Sequence, residues 1–166
     1  MTKPSAEIGF SDYRPGALGR VVELHALYYA REWDFPRAFE TKVAAEMAEF
    51  LGRQDPAFDF FRIALEGNRI VGSITLDGSE NADNGAHLRW FVVADGLRGG
   101  GVGGRLIEQA VAFARQRGFD HIYLWTFEGL EAARRFYERA GFVLEEEHRG
   151  RTWGAEVVEQ KFVFRL

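Results

Sequence analysis

The residues best suited to chemistry lie in Arg98–Gly104, R-G-G-G-V-G-G, where five of seven positions are glycine. Without Cβ atoms, such a backbone turns tightly and lets an anion approach its amides. Val102, Leu106, Ala110, Val111, Phe113 and Ala114 follow at helical spacing. The glycines therefore lead into a helix N-terminus, whose free N–H groups and positive dipole end favour phosphate, and Arg98 adds a positive charge. Two common phosphate motifs fit poorly. Gly99, Gly101 and Gly104 satisfy G-x-G-x-x-G, but that pattern belongs after the first strand of a βαβ unit, and here more than half of the chain precedes it. A Walker A loop needs Lys and then Ser or Thr after its last glycine, where this chain has Arg105-Leu106. The plain alternative is a flexible glycine-rich surface loop.

Regular elements flank the loop. Leu88–Val93, apolar, aromatic or β-branched apart from Arg89, suits a buried strand ended by Asp95-Gly96. Upstream, Ile8–Tyr13 reads as a strand. Leu18, Val21, Val22, His25, Tyr28 and Tyr29 form one helical face, and Phe39, Val43, Met47, Phe50 and Leu51 form a second after the break at Trp33-Asp34-Phe35-Pro36. Phe58–Leu65 and Arg69–Leu76 make a hairpin, with Ile70, Gly72, Ile74 and Leu76 on one face; a polar loop, Asp77–Gly85, leads to the strand Ala86–Val93. Three consecutive strands joined by polar turns suggest a meander rather than repeated βαβ units. Downstream, the helix Val102–Arg117 and the strand His121–Thr126 complete one parallel crossover. A helix over Glu128–Ala140, capped by Gly141, precedes a final hairpin of Phe142–His148 and Val157–Leu166, with Phe162, Phe164 and Leu166 on one face.

The 166 residues suit one domain, 1–166, with a single substantial core. A net charge of −4 and no basic run argue against nucleic acid as a main partner. The absence of cysteine excludes disulfides, a thiolate nucleophile and zinc–thiolate sites. The four histidines lack paired-ligand spacing, so no metal is expected. Met1–Ser5 is not followed by an apolar targeting segment and no apolar run is long enough to span a membrane, so the expected setting is the cytoplasm, with no membrane partner.

Arg98-Gly99-Gly100-Gly101-Val102-Gly103 resembles the acyl-CoA loop of GCN5-related N-acetyltransferases, the GNAT superfamily, whose signature is Arg or Gln, two residues, Gly, one residue, then Gly or Ala. Ala133–Phe142, A-R-R-F-Y-E-R-A-G-F, is similar to a second signature, A-x-x-[FL]-Y-x-x-x-G-F. The resemblance covers nearly all of the chain and is strongest over Ala86–Phe142. It implies a mixed, mostly antiparallel sheet of six or seven strands flanked by about four helices. It also implies acetyl-CoA as co-substrate, with Arg98, Gly99, Gly100, Gly101, Val102, Gly103 and Gly104 holding the pyrophosphate. Phe91, Val92 and Val93 would pair with the pantetheine arm where their strand splays from its parallel neighbour. Tyr137 would be the general acid that protonates the leaving thiolate; its structural alternative is a helix tyrosine closing the core. One departure is Leu130, which stands where many members have an asparagine that contacts the CoA arm. The segment W-T-x-x-G-L-E-A-A-R-R from Trp125, with Trp153-Gly154, looks like the acetyltransferase half of MarR–GNAT fusion regulators. This chain has no helix-turn-helix, so a transcriptional role does not carry over.

The function implied is direct transfer of an acetyl group from acetyl-CoA to a primary amine of a small molecule, amino acid or peptide. The amine must lose a proton before it can attack; Glu32, His87, Glu128 and Glu147 are candidate bases, each also readable as a structural or surface residue. Tyr28, Tyr29, Trp33, Phe35 and Phe39 read as core packing or as the wall of an acceptor pocket, and Trp153 as a second wall or a surface contact. A homodimer is compatible with this reading. The rival functions are a non-catalytic acyl-CoA sensor, to which Leu130 lends weight, and a nicotinamide oxidoreductase, which would need an acid at the end of the strand where Thr126 stands.

Overall fold

A computed structural model describes residues 7–79 and 83–166. Met1–Ser5, and the Glu80–Ala82 part of the loop expected over Asp77–Gly85, lie outside the described residues. The elements in order are β1 (Ile8–Ser11), α1 (Ala17–Trp33), α2 (Arg37–Arg53), β2 (Phe60–Glu66), β3 (Arg69–Asp77), β4 (Gly85–Val93), α3 (Val102–Arg117), β5 (His121–Phe127), α4 (Glu131–Ala140), β6 (Val143–Gly150) and β7 (Val157–Arg165). The strands form one sheet in the order β1-β2-β3-β4-β5-β7-β6. Only β4 and β5 run parallel, joined through α3, and every other pair is antiparallel. This is the expected mixed α/β architecture, with seven strands and four helices among the described residues.

Two apolar clusters cover the two faces of the sheet. Val21, Phe39, Val43, Met47 and Phe50 of α1 and α2 pack with Phe61, Ile63, Trp90, Val92 and Phe127 on one side. Leu106, Ile107, Ala110 and Ala114 of α3, with Tyr137 of α4, pack with Ile74, Leu76, Leu88, Ile122, Leu124 and Phe162 on the other. The strands alternate inward residues between these clusters, as a sheet covered on both faces requires. The outer strand β6 is mostly exposed and carries Glu145, Glu146, Glu147, His148 and Arg149, charges that discourage pairing with another edge.

Three local expectations are corrected. The last long helix begins at Glu131 rather than Glu128, because Gly129 adopts φ +107 and the Trp33 ring occupies the space where a Cβ would project. β2 begins at Phe60, since the preceding residues form a turn in which the Asp59 carboxylate accepts the Asp55 amide at 2.9 Å. Ile70 does not share a face with Ile74 and Leu76. A register shift separates the Ala64–Gly72 and Leu65–Ile70 pairs, making Val71 an extra residue, and Ile70 packs on the α1/α2 side instead.

Candidate active site

The glycine loop caps α3 as the sequence predicts. Gly99 and Gly101 have φ +81 and +85, a left-handed backbone that non-glycine residues adopt only at a cost. Gly101 is the N-cap, and no side chain caps the helix. The first-turn amides of Val102, Gly103 and Gly104 therefore lack intrahelical acceptors. A Cβ at Gly99, Gly101 or Gly104 would meet no atom within 4 Å, so the loop is an open ledge of N–H groups. Arg98 braces this ledge. Its guanidinium lies 4.3 Å from the centre of the Tyr28 ring, donates to the Val93 carbonyl at 3.2 Å and sits 3.6 Å from Asp95. Asp95 also binds Arg31 of α1 at 2.8 Å.

β4 leads into this loop and is distorted on both edges. Opposite β3, Ser73 pairs with Val92 and Thr75 with Arg89, so Trp90 and Phe91 together oppose Ile74. This is a bulge, and Trp90 has φ +47. Opposite β5, the parallel pairing covers only Gly85–His121, Ala86–Ile122 and His87–Tyr123. Beyond His87 the two strands splay, leaving the β5-facing edge of Leu88–Val93 without a strand partner. Phe91, Val92 and Val93 lie on that free edge.

The splay opens into a cavity of about 380 Å³ between the sheet, α1 and α2, Tyr137 of α4 and the β6–β7 loop. Its aromatic lining includes Tyr29, Phe39, Trp90, Phe91, Trp125, Phe127, Tyr137 and Trp153. Tyr29 packs on Phe39 at 4.9 Å and on Phe35 at 5.5 Å, and Trp153 on Phe127 at 5.6 Å. Of the aromatic cluster of the first two helices, Tyr29 and Phe39 line the cavity, while Tyr28, Trp33 and Phe35 pack with the α1/α2 core. The polar lining includes Lys42, Glu46 and Arg89, His148, Thr152 and Glu159, and also His25, His87 and Thr126. Arg89 bridges Glu46 at 2.7 Å and Asp77 at 3.4 Å, and Lys42 pairs with Glu46. A second depression, about 490 Å³, starts at Gly104 and runs between α3 and α4 past Phe136 and Arg139.

Tyr137 is buried at the α4 edge of this cavity, its ring 6.2 Å from that of Phe91. Burial, with Tyr29 nearby as the smaller cause, holds its hydroxyl pKa well above the ordinary tyrosine value, so the phenol keeps its proton. His87 also lines the cavity and stacks on Tyr123 at 4.6 Å, and burial followed by Arg89 lowers its pKa to about 3. Buried His25 donates from Nδ1 to the Val21 carbonyl at 2.8 Å, and desolvation lowers its pKa to about 4. Both imidazoles are therefore neutral near pH 7. The other candidate bases lie outside the cavity lining: Glu32 pairs with Arg31, Glu128 is exposed, and exposed Glu147 accepts from Gln160 at 3.2 Å. Sequence reasoning missed Lys42, Glu46, Arg89, His148 and Glu159. The His148–Glu159 pair follows from the register of the last hairpin, which the spacing of the two residues does not reveal.

The profile of the Acetyltransferase (GNAT) family matches residues 24–142. The chain is 35% identical over 82 residues to a protein of Xenopus tropicalis named "Probable N-acetyltransferase camello", a match covering 49% of this chain and 37% of that protein. It therefore spans well under half the length of that relative. Among solved structures, an acetyltransferase from Streptococcus agalactiae 2603 superposes with a TM-score of 0.72 at 26% identity, covering 99% of this chain and 100% of that one. A Bacillus anthracis protein described as a "putative streptothricin acetyltransferase", solved in complex with acetyl coenzyme A, superposes with a TM-score of 0.58 at 30% identity, covering 66% of this chain and 63% of that one. With the glycine ledge, the bulged and splayed β4 and a family match over most of its length, this chain belongs to the GNAT acetyltransferase family.

Proposed function

We propose that the protein is an N-acetyltransferase that moves the acetyl group of acetyl-CoA directly to a primary amine held in the aromatic-walled cavity. The observation that carries this reading is the splay of β4 from β5 beyond His87–Tyr123. It leaves an extended backbone edge continuous with the glycine ledge at one end and the cavity at the other. The residues fit the co-substrate at each point. The ledge amides of Val102, Gly103 and Gly104 and the positive end of α3 suit a pyrophosphate, with Arg98 fixing the loop. The free edge at Phe91, Val92 and Val93 suits an extended amide-bearing arm, which would complete the interrupted ladder. The Bacillus anthracis structure solved with acetyl coenzyme A agrees with this ligand.

Tyr137 holds a proton at its buried hydroxyl and delivers it to the departing sulfur. Leu130 is buried with the α1/α2 cluster, so an apolar contact stands where the family resemblance implies an asparagine. With no cysteine in the chain, a cysteinyl acyl-enzyme is excluded and attack occurs with both substrates bound. The acceptor is a small amine, an amino acid or a peptide end that the aromatic walls enclose. No helix among the described residues is long and apolar enough to cross a membrane, and a cytoplasmic setting belongs to the same proposal.

Thermal shift with acetyl-CoA, CoA and NAD(H) tests this, since a ligand that binds only the folded state raises its apparent stability. A rise with both CoA species that Gly101→Glu abolishes supports the reading. No rise with CoA, or a rise with NAD(H) alone, overturns it.

A further inference from the structure

His148 and Glu159 face each other across the last hairpin, as registered partners on β6 and β7. His148 Nε2 lies 2.9 Å from Glu159 Oε2. Glu159 is only 4% exposed, and its other oxygen accepts the Thr152 amide at 3.2 Å. The chain approaches this carboxylate closely at Gly150, where a Cβ would overlap it. Among the described residues its one side-chain partner at ion-pair distance is His148. A carboxylate only accepts hydrogen bonds, so His148 Nε2 carries the hydrogen and Nδ1 keeps the lone pair. Such a buried acid fixes the tautomer and the orientation of the ring. The ring meets Trp125 edge-on at 5.3 Å and lines the same cavity as Tyr137.

We propose that His148 is the proton acceptor for the amine substrate and that Glu159 is its positioning residue. This rests on the acetyl-transfer reading. The acceptor enters as an ammonium ion. His148 Nδ1 takes one proton and passes it to solvent, the nitrogen lone pair forms a bond to the thioester carbonyl carbon, and the carbon–sulfur bond breaks with its electrons on sulfur. The thiolate receives the Tyr137 proton, and the second amine proton restores the phenol. The net products are the amide, the free thiol and one proton. The other cavity histidines suit this task less, because desolvation keeps His25 and His87 from holding a proton near neutral pH. Around His148, Glu146 of its own strand lies 3.7 Å from Nδ1, and β7 supplies Glu159 and Lys161, the latter held by Glu145 at 3.6 Å. β5 supplies the uncharged Trp125. Elsewhere in the lining, Lys42, Glu46 and Arg89 are paired among themselves.

The test follows thiol release from acetyl-CoA with phenethylamine across pH 5–9 for the wild type, His148→Gln and Glu159→Gln. We expect His148→Gln to lower kcat/KM at pH 7 by about 100-fold or more and to abolish the acidic limb of the profile, with the thermal shift from acetyl-CoA retained. Glu159→Gln, which keeps an accepting oxygen, moves that limb toward lower pH. Wild-type rate and profile in His148→Gln overturn the proposal while leaving acetyl transfer intact, whereas a wild type that binds no CoA overturns the acetyl-transfer reading itself. A second arm needs no acceptor: nitrogen–proton correlation spectra of the imidazoles. The Nε2–H tautomer at His148, with Nδ1 titrating, supports the assignment, and an Nδ1–H tautomer overturns it.

Discussion

Ser73 Oγ donates a hydrogen bond to the Trp90 carbonyl at 2.7 Å, reaching from β3 into the bulge of β4. Trp90 needs this support, because a left-handed backbone is costly for a bulky side chain, on the order of 1–3 kcal/mol. Its ring is packed between Phe50, at 5.6 Å, and the Arg89 guanidinium, at 4.2 Å. Ser73→Ala leaves the bulge carbonyl without this donor. The expected loss of stability in urea is about 1–3 kcal/mol, with a weaker thermal shift from acetyl-CoA. An unchanged unfolding midpoint would show that the bulge stands without Ser73.

Tyr137→Phe removes one hydroxyl from a buried ring that makes edge contacts with Phe136 and Phe142, both at 5.8 Å. The ring contacts survive the substitution, so stability stays near wild type. If the phenol delivers a proton, kcat falls by about 100-fold or more while KM for acetyl-CoA changes little. Equal rates for the two proteins, measured by thiol release, would remove Tyr137 from the chemistry.

Folded-state neutrality of His25 and His87 makes stability depend on pH. Both pKa values lie below the ordinary histidine value, at about 4 and about 3. The unfolded chain therefore binds protons first as pH falls below about 6.5. Stability is fully present above that value and declines as pH drops toward 4, by up to about 1.4 kcal/mol per pH unit for each group. Urea midpoints at pH 7.5 and 5.0 check the sign, and His25→Gln should flatten the slope. A protein more stable at pH 5.0 than at 7.5 would contradict the buried, neutral assignment.

Gly129→Ala meets two obstacles at once. The residue has φ +107, and the Trp33 ring fills the space a methyl group would take. Trp33 in turn packs edge-on against Phe127 at 4.9 Å, so its displacement disturbs the cavity wall. We expect a destabilisation of about 1–3 kcal/mol and a raised KM for the amine, read by calorimetry and steady-state rates. Gly104→Ala, at an open position on α3, is the control and should leave the fold intact.

Much of this architecture could be read from residue patterns because the patterns are local. The apolar spacing of Val102, Leu106, Ala110 and Ala114, closed by Gly118, marks α3, and the glycines before it mark a helix start. The meander and the crossover follow from turn residues between alternating runs. The bulges at Val71 and Trp90 were not legible at their positions, because they arise from pairing with a neighbouring strand rather than from the residues that form them. The Arg89–Glu46 and His148–Glu159 pairs were hidden for the same reason: each joins elements whose relative register exists only in the folded sheet. Glu128 looked helical by composition, but Gly129 and the Trp33 ring decide where α4 can begin.

The three rungs joining β4 to β5 give the sheet the mechanics of an open book, with a short spine and two diverging covers. One cover holds β1 to β4, and the other holds β5, β7 and β6. At the foot of the spine Gly85 is pressed against the His121 ring, with no room for a side chain. A small angular change there is multiplied along both strands before it reaches Phe91 and Trp125. Phe91 and Trp125, at the open end, thus face each other across strands whose mutual rungs, among the described residues, all lie at the closed end beside Gly85 and His121.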